Sequence, residues 1–351
     1  MSGPLRVSMT DLADGAADGP LLAPEGTVRD PLIAVDLEGT ADAATVERAA
    51  LRARDADRLL VGVLPGAPHG EDGGHARLLA ALDLTLTRTG GTAGREVIIV
   101  GDLDGALHEL HEAVTRNPLA SLVLRDVLRT TEAMPVAAAL DVESYAYSTL
   151  LGGPEFARWL AARGPRPLPP ETGDPVLVDR DGGDGLRITL NRPERRNAYG
   201  RQVRDALVDA LQIAVLDDEI SRVVLEGAGP AFCAGGDLDE FGTAPDPVTA
   251  HLVRTRDGAG RLVHRLADRM EVHVHGACVG AGIEIPAFAG TLIARPDATF
   301  RLPEISMGLI PGAGGTVSIP RRIGRWRTLH LALTGTAIDA ETARRWGLVD
   351  R

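Results

Sequence analysis

The sequence predicts a mixed α/β fold built by stacking strand–helix units. Three patterns carry that prediction. LRITL (Leu186–Leu190) reads as a strand, Val203, Ala206, Leu207, Ala210 and Leu211 recur at helical spacing, and RVVLEG (Arg222–Gly227) supplies the next strand. Upstream, PLIAVDL, ATVERAALRARDA and RLLVGVLPG repeat the order strand, helix, strand, glycine turn in fainter form. Downstream, HLVRTRDGAGRLVHRLADRM reads as a long helical stretch feeding the strand EVHVH, and TLIA and TFRL add short strands.

Between the two α/β regions, RGPRPLPPETGDP (Arg163–Pro175) packs five prolines into a short polar segment. Proline density of that kind predicts an extended linker. The expected organisation is therefore a disordered head over residues 1–28, an α/β and helical region over 29–164, a linker over 165–175 and a second domain over 176–351. Residues 116–163 read as helices separated near Met134–Pro135 and near Gly152–Gly153.

Composition narrows the class. The chain has 351 residues, and a hydrophobic content of 44% supports a large core. With 37 basic and 49 acidic residues the formal charge is −12, which disfavours a broad phosphate-neutralising surface and so a nucleic-acid partner. Cys233 and Cys278 stand alone, in neither a disulfide framework nor a metal-ligand spacing. No run of about 18 apolar residues suggests a membrane span, and no basic stretch followed by an apolar core opens the chain. The expectation is a cytoplasmic protein.

Three segments of the C-terminal half carry chemistry. GPAFCAGGDLDE (Gly229–Glu240) and GACVGAGIE (Gly276–Glu284) each place small residues at a strand end, where the chain can turn sharply and aim backbone N–H groups at a ligand. Two such turns face to face would make an oxyanion hole. FRLPEISMGLIPGAGGT (Phe300–Thr316) holds Glu304 among apolar residues, as Glu284 is held in its own segment. Taken singly, each glutamate also reads as an ordinary ion-pair or helix-start carboxylate.

These segments, with LTGTAIDAETARRWGLVD near the end, resemble the crotonase superfamily, the enoyl-CoA hydratase/isomerase family, from Leu186 to Arg351. The resemblance implies a spiral core of stacked β-β-α units with a helical region. It implies that the amides of Gly236 and Ala281 form the oxyanion hole, and that Glu284 and Glu304 are the catalytic pair. Ala234, Gly235, Gly236, Asp237, Leu238 and Gly280 would line the substrate and its coenzyme A. It implies an acyl-CoA substrate, with coenzyme A entering as part of that substrate rather than as a cofactor, no metal, and a homotrimer or hexamer. Hydration of a 2-enoyl-CoA fits the retained glutamate pair; isomerisation, thioester hydrolysis and a non-catalytic acyl-CoA-binding or assembly subunit stand as alternatives.

Some positions depart from the family pattern. Asp239 and Glu240 follow the first turn where a lysine often contacts coenzyme A phosphate, and Gly290 stands where an aspartate is common. Arg192, Arg195 and Arg196 are the nearest candidates for phosphate contacts, or else members of a solvated turn. ALDVESYAYSTLLGGPEFARWL, upstream of the core, looks like the family's closing C-terminal helices. Either the chain is rearranged like a circular permutation, or a separate helical domain precedes the core. Tyr145, Tyr147, Phe156 and Trp159 read as core or interface aromatics, and both cysteines as packing residues.

Overall fold

The computed structural model describes residues 3–66, 73–89, 94–170 and 173–351. Its contacts divide into two compact units, Met1–Arg129 with Gly324–Thr334, and Thr130–Ile323 with Gly335–Arg351. The division thus falls before the proline-rich stretch and not within it, because residues 130–163 pack with the chain that follows. Residues 164–170 have neither helix nor strand.

The first unit runs β1 (Leu5–Ser8), α1 (Met9–Ala13), β2 (Leu32–Asp36), α2 (Ala43–Asp55), β3 (Leu59–Leu64), α3 (Gly73–Ala81), β4 (Leu84–Thr87), β5 (Val97–Ile99), α4 (Leu103–Arg116) and α5 (Pro118–Thr131). Its five strands pair in chain order, β1-β2-β3-β4-β5, all parallel. LLVGVL in β3 is buried along its whole length, the signature of a strand covered on both faces. On α2, Val46, Ala49, Ala50 and Ala53 recur on one face and are buried.

The expected disordered head is a correction. Leu5–Ser8 pairs with Ile33–Asp36, and Ser8 and Asp11 close a reciprocal capping box that starts α1, burying Met9, Leu12 and Ala13. An edge strand and a cap tie down residues whose composition alone reads as polar and loose.

The second unit contains α6 (Val136–Leu151), α7 (Pro154–Arg163), β6 (Val176–Asp181), β7 (Gly185–Leu190), α8 (Arg201–Leu216), β8 (Arg222–Gly227), α9 (Pro247–Arg256), α10 (Ala259–Arg265), β9 (Met270–Val274), β10 (Ala277–Val279), α11 (Ala281–Glu284), β11 (Thr291–Ala294) and β12 (Thr299–Arg301). After α12 (Gly315–Thr334), β13 (Ile338–Asp339) and α13 (Ala340–Trp346) complete it. One sheet has the order β11-β9-β8-β7-β6 and a second the order β10-β12-β13. Neighbours are parallel except at β6–β7 and β12–β13. This is the stacked α/β arrangement that the strand–helix spacing predicts.

Two details differ from the sequence reading. The long helix expected over HLVRTRDGAGRLVHRLADRM is two helices, α9 and α10, because Gly258 caps the second and a side chain there would strike the Arg254 carbonyl. α12 breaks at Gly324 (φ 83°, ψ 157°), a conformation that excludes continued helix. Residues before the break belong to the second unit and those from Gly324 to Thr334 to the first, where the Trp326 Nε1–H donates to the Leu82 carbonyl at 3.0 Å. No helix among the described residues is long and apolar enough to cross a membrane.

Candidate active site

The two glycine turns lie side by side because their backbones are stitched together. Phe232 N donates to His275 O at 2.8 Å, Cys233 N to Ala277 O at 3.3 Å and Val279 N to Cys233 O at 3.0 Å. Asn197, fully buried and not singled out by sequence reasoning, fixes the first turn: its Nδ2 donates to the carbonyls of Ala228, Ala231 and Phe232 at 2.9–3.0 Å. Gly280 sits at φ 49°, which glycine alone adopts freely, and starts α11. Gly282 is where the turns touch, since a Cβ there would collide with the Cys233 carbonyl. Gly282→Ala is therefore expected to destabilise the protein by at least ~2 kcal/mol through backbone overpacking, read as a lowered urea midpoint with unchanged slope.

That stitching leaves two donors over. The amides of Gly236 and Ala281 have no acceptor among the described residues, and both residues line a cavity of about 360 Å³. Glu284, Glu304 and Asp237 line the same cavity, whereas Ala234, Gly235, Leu238 and Gly280 do not. Gly280 nevertheless shapes it. A Cβ on Gly280 would stand 2.5 Å from Glu304 Oε1 and 3.5 Å from Glu284 Oε1, so the two carboxyls converge on the one position that has no side chain.

Both carboxyls are buried, at 2% exposure for Glu284 and 8% for Glu304. Glu284 is anchored on the side away from Gly280: its Oε2 accepts from Ala313 N at 2.7 Å and Gly315 N at 2.9 Å. Glu304 has a buried Oε2 without a hydrogen-bond partner among the described residues. Burial holds Glu284 well above the usual carboxylate range, reinforced by the charges of Glu304 and Glu143, and pushes Glu304 up to about 8. One carboxyl is anchored and the other is open to a ligand.

Glu143, on α6, is a third buried carboxyl, and sequence reasoning passed over it. Its Oε1 accepts from Gly314 N at 2.8 Å, while its Oε2 accepts from Thr316 N at 2.9 Å and Thr316 Oγ1 at 2.7 Å. Successive amides of the loop 313–316 thus alternate between Glu284 and Glu143. Burial raises Glu143 to about 7, against the lowering effect of those hydrogen bonds. The available signal was a charge in the largely apolar run VAAALDVESYAYSTLL.

Helix α7 braces the first turn. Arg163 reaches Asp239 at 2.8 Å, and Arg195 grips Asp237 at 2.7 and 3.0 Å and Asp239 at 3.0 Å. Trp159 meets the Phe241 ring edge-on at 5.8 Å between centroids, and Phe241 lies against Gly236. Of the arginines considered for phosphate contact, Arg195 is consumed by this network, Arg192 is buried and Arg196 is exposed. Tyr147 packs on Gly312 and Phe156 is buried, so these aromatics line or support the cavity. Burial pushes the Cys233 thiol up to about 12, in keeping with a packing residue.

Residues 185–351 match the family model described as enoyl-CoA hydratase/isomerase. A probable enoyl-CoA hydratase of Mycobacterium bovis is 36% identical over 182 residues, covering 51% of this chain and 69% of that protein. Two Escherichia coli proteins, 1,2-epoxyphenylacetyl-CoA isomerase and 2,3-dehydroadipyl-CoA hydratase, are each 36% identical, over 169 and 164 residues. Each alignment covers 47% of this chain and 64% of the relative, so the similarity spans about two thirds of the relatives' length.

Proposed function

The chain belongs to the enoyl-CoA hydratase/isomerase family, and from that premise we propose that it adds water to a 2-enoyl-CoA thioester, or removes it in the reverse direction. The observation that carries this reading is the convergence of Glu284 and Glu304 at Gly280, next to the uncommitted amide of Ala281.

In this reading the thioester carbonyl oxygen accepts from Gly236 N and Ala281 N. Negative charge that develops on that oxygen is met by fixed dipoles, which makes the β-carbon electrophilic. One carboxylate takes a proton as water oxygen bonds to the β-carbon, and the other, as a carboxylic acid, delivers a proton to the α-carbon. Two carboxyls in an apolar cavity resist double ionisation, so a singly protonated pair is the resting state such chemistry needs. Coenzyme A belongs to the substrate, and no separate cofactor has a step. On the same reading α6 and α7 act as the closing helices of the site, supplied from upstream of the core; Glu143 and the Arg163–Asp239 contact are how they hold its two loops.

The test is incubation with crotonyl-CoA and a panel of longer, aromatic and carboxylated enoyl-CoAs in H₂¹⁸O, following loss of the conjugated thioester absorbance and product mass. One heavy oxygen in a 3-hydroxyacyl product is the expected result. A migrated double bond without added oxygen would replace hydration by isomerisation, and free coenzyme A by hydrolysis. Tight binding without turnover of any thioester would leave the non-catalytic reading.

A further inference from the structure

Beyond the reacting groups, the cavity holds a cation that makes no direct ion pair among the described residues, although the charge of Glu143 acts on it from a distance. Arg254, on α9, lines it. Its Nε donates to Ser144 Oγ at 3.2 Å and its Nη2 to the Ser144 carbonyl at 3.2 Å and to Ser148 Oγ, which fixes the guanidinium in place. Its plane lies over the Tyr147 ring, 4.4 Å from the centroid. No hydrogen bond of Nη1 and no carboxylate within ion-pair distance is found among the described residues. Neighbouring arginines are different: Arg261 is paired with Asp141, and Arg163 and Arg195 with Asp239.

Position places this cation in the same cavity as the two glutamates. Tyr147 packs against Gly312, the residue next to the amides that anchor Glu284, and Arg254 lies on Tyr147. Arg254 therefore shares a cavity wall with the loop that anchors Glu284, and the Tyr147 hydroxyl makes no hydrogen bond among the described residues. Glu143, whose charge acts on Arg254, spends both oxygens on hydrogen bonds from Gly314 and Thr316. Burial lowers the pKa of Arg254, a sign that its charge is short of solvent. A desolvated guanidinium with a free edge, held rigidly by two serines, is organised for a planar anion.

We propose that Arg254 receives a carboxylate carried on the acyl chain, so that the preferred substrates are thioesters of dicarboxylic acids. The inference rests on the acyl-CoA reading of the cavity, but not on the reaction being hydration.

The experiment uses saturated thioesters, which cannot be hydrated. Dissociation constants are measured by calorimetry for succinyl-, adipyl- and suberyl-CoA against butyryl-, hexanoyl- and octanoyl-CoA, with free coenzyme A as the reference. The wild type is expected to bind at least one dicarboxylic thioester tenfold or more tightly than its monocarboxylic counterpart. Arg254→Gln, which retains a donor for Ser144 and Ser148, is expected to abolish that ratio, and Arg254→Lys to keep part of it. Equal affinities in the wild type, or no binding of any thioester, would overturn the proposal. So would an equal loss for free coenzyme A, which would reassign Arg254 to a coenzyme A phosphate. If circular dichroism shows Arg254→Gln unfolded, the wild-type ratio and the lysine variant decide. A preserved ratio in a protein that incorporates no heavy oxygen would sink hydration and leave the anion subsite standing.

Discussion

Ala281→Pro is expected to fold normally and to lose about 10²–10³-fold in kcat, the effect of removing one oxyanion donor. Ala281 is the first residue of α11, the helix position that proline occupies most readily, and its amide has no acceptor that folding depends on. The substitution thus separates structure from chemistry, which few changes in so buried a site can do. Steady-state kinetics with the best thioester of the panel, beside a urea melt, measure both. A wild-type rate in the folded variant would remove Ala281 from the oxyanion hole.

Glu304→Gln is expected to lower kcat roughly 10²–10⁴-fold while substrate affinity changes little, because an amide can neither take nor give the proton. Glu284→Gln should lose turnover as well, with an added cost in stability, since its anchored oxygen accepts two loop amides. Stability gives Glu304 a second readout. Its folded pKa is raised from an ordinary 4.5 to about 8, so as pH climbs through that window the unfolded chain sheds a proton that the folded protein keeps. The contribution of Glu304 to stability therefore falls between pH 4.5 and about 8 and is level above. Glutamine does not titrate, so the variant should gain stability relative to wild type from pH 5 to pH 8. Parallel unfolding curves at the two pH values would contradict the buried, protonated state.

What the sequence makes legible follows the range of the interactions. β7, α8 and β8 are readable because apolar spacing is a local property, and Val203, Leu207, Ala210 and Leu211 are indeed buried on α8. The small residues of GPAFCAGGD and GACVGAGIE mark the turns because sharp bends demand them locally. Glu143 is different: a charge in an apolar run is the only hint within α6, and the amides it binds belong to another part of the chain. The head misleads for a related reason, since Leu5–Ser8 becomes a strand only once β2 is there to pair with it. Arg254 is equally silent, as the missing carboxylate that makes it notable is visible only in three dimensions.

The loop 313–316 also has a consequence in time. Gly314 lies 171 residues after Glu143, and Thr316 173. At translation rates of roughly 5–20 residues per second, α6 waits on the order of 10–35 s before the amides that satisfy its carboxylate leave the ribosome. Until then Glu143 has the choice of solvent or a provisional partner, and the wall it belongs to cannot close. The cavity wall thus forms only after the long intervening segment has been made, and contacts of such sequence separation should make it slow to form.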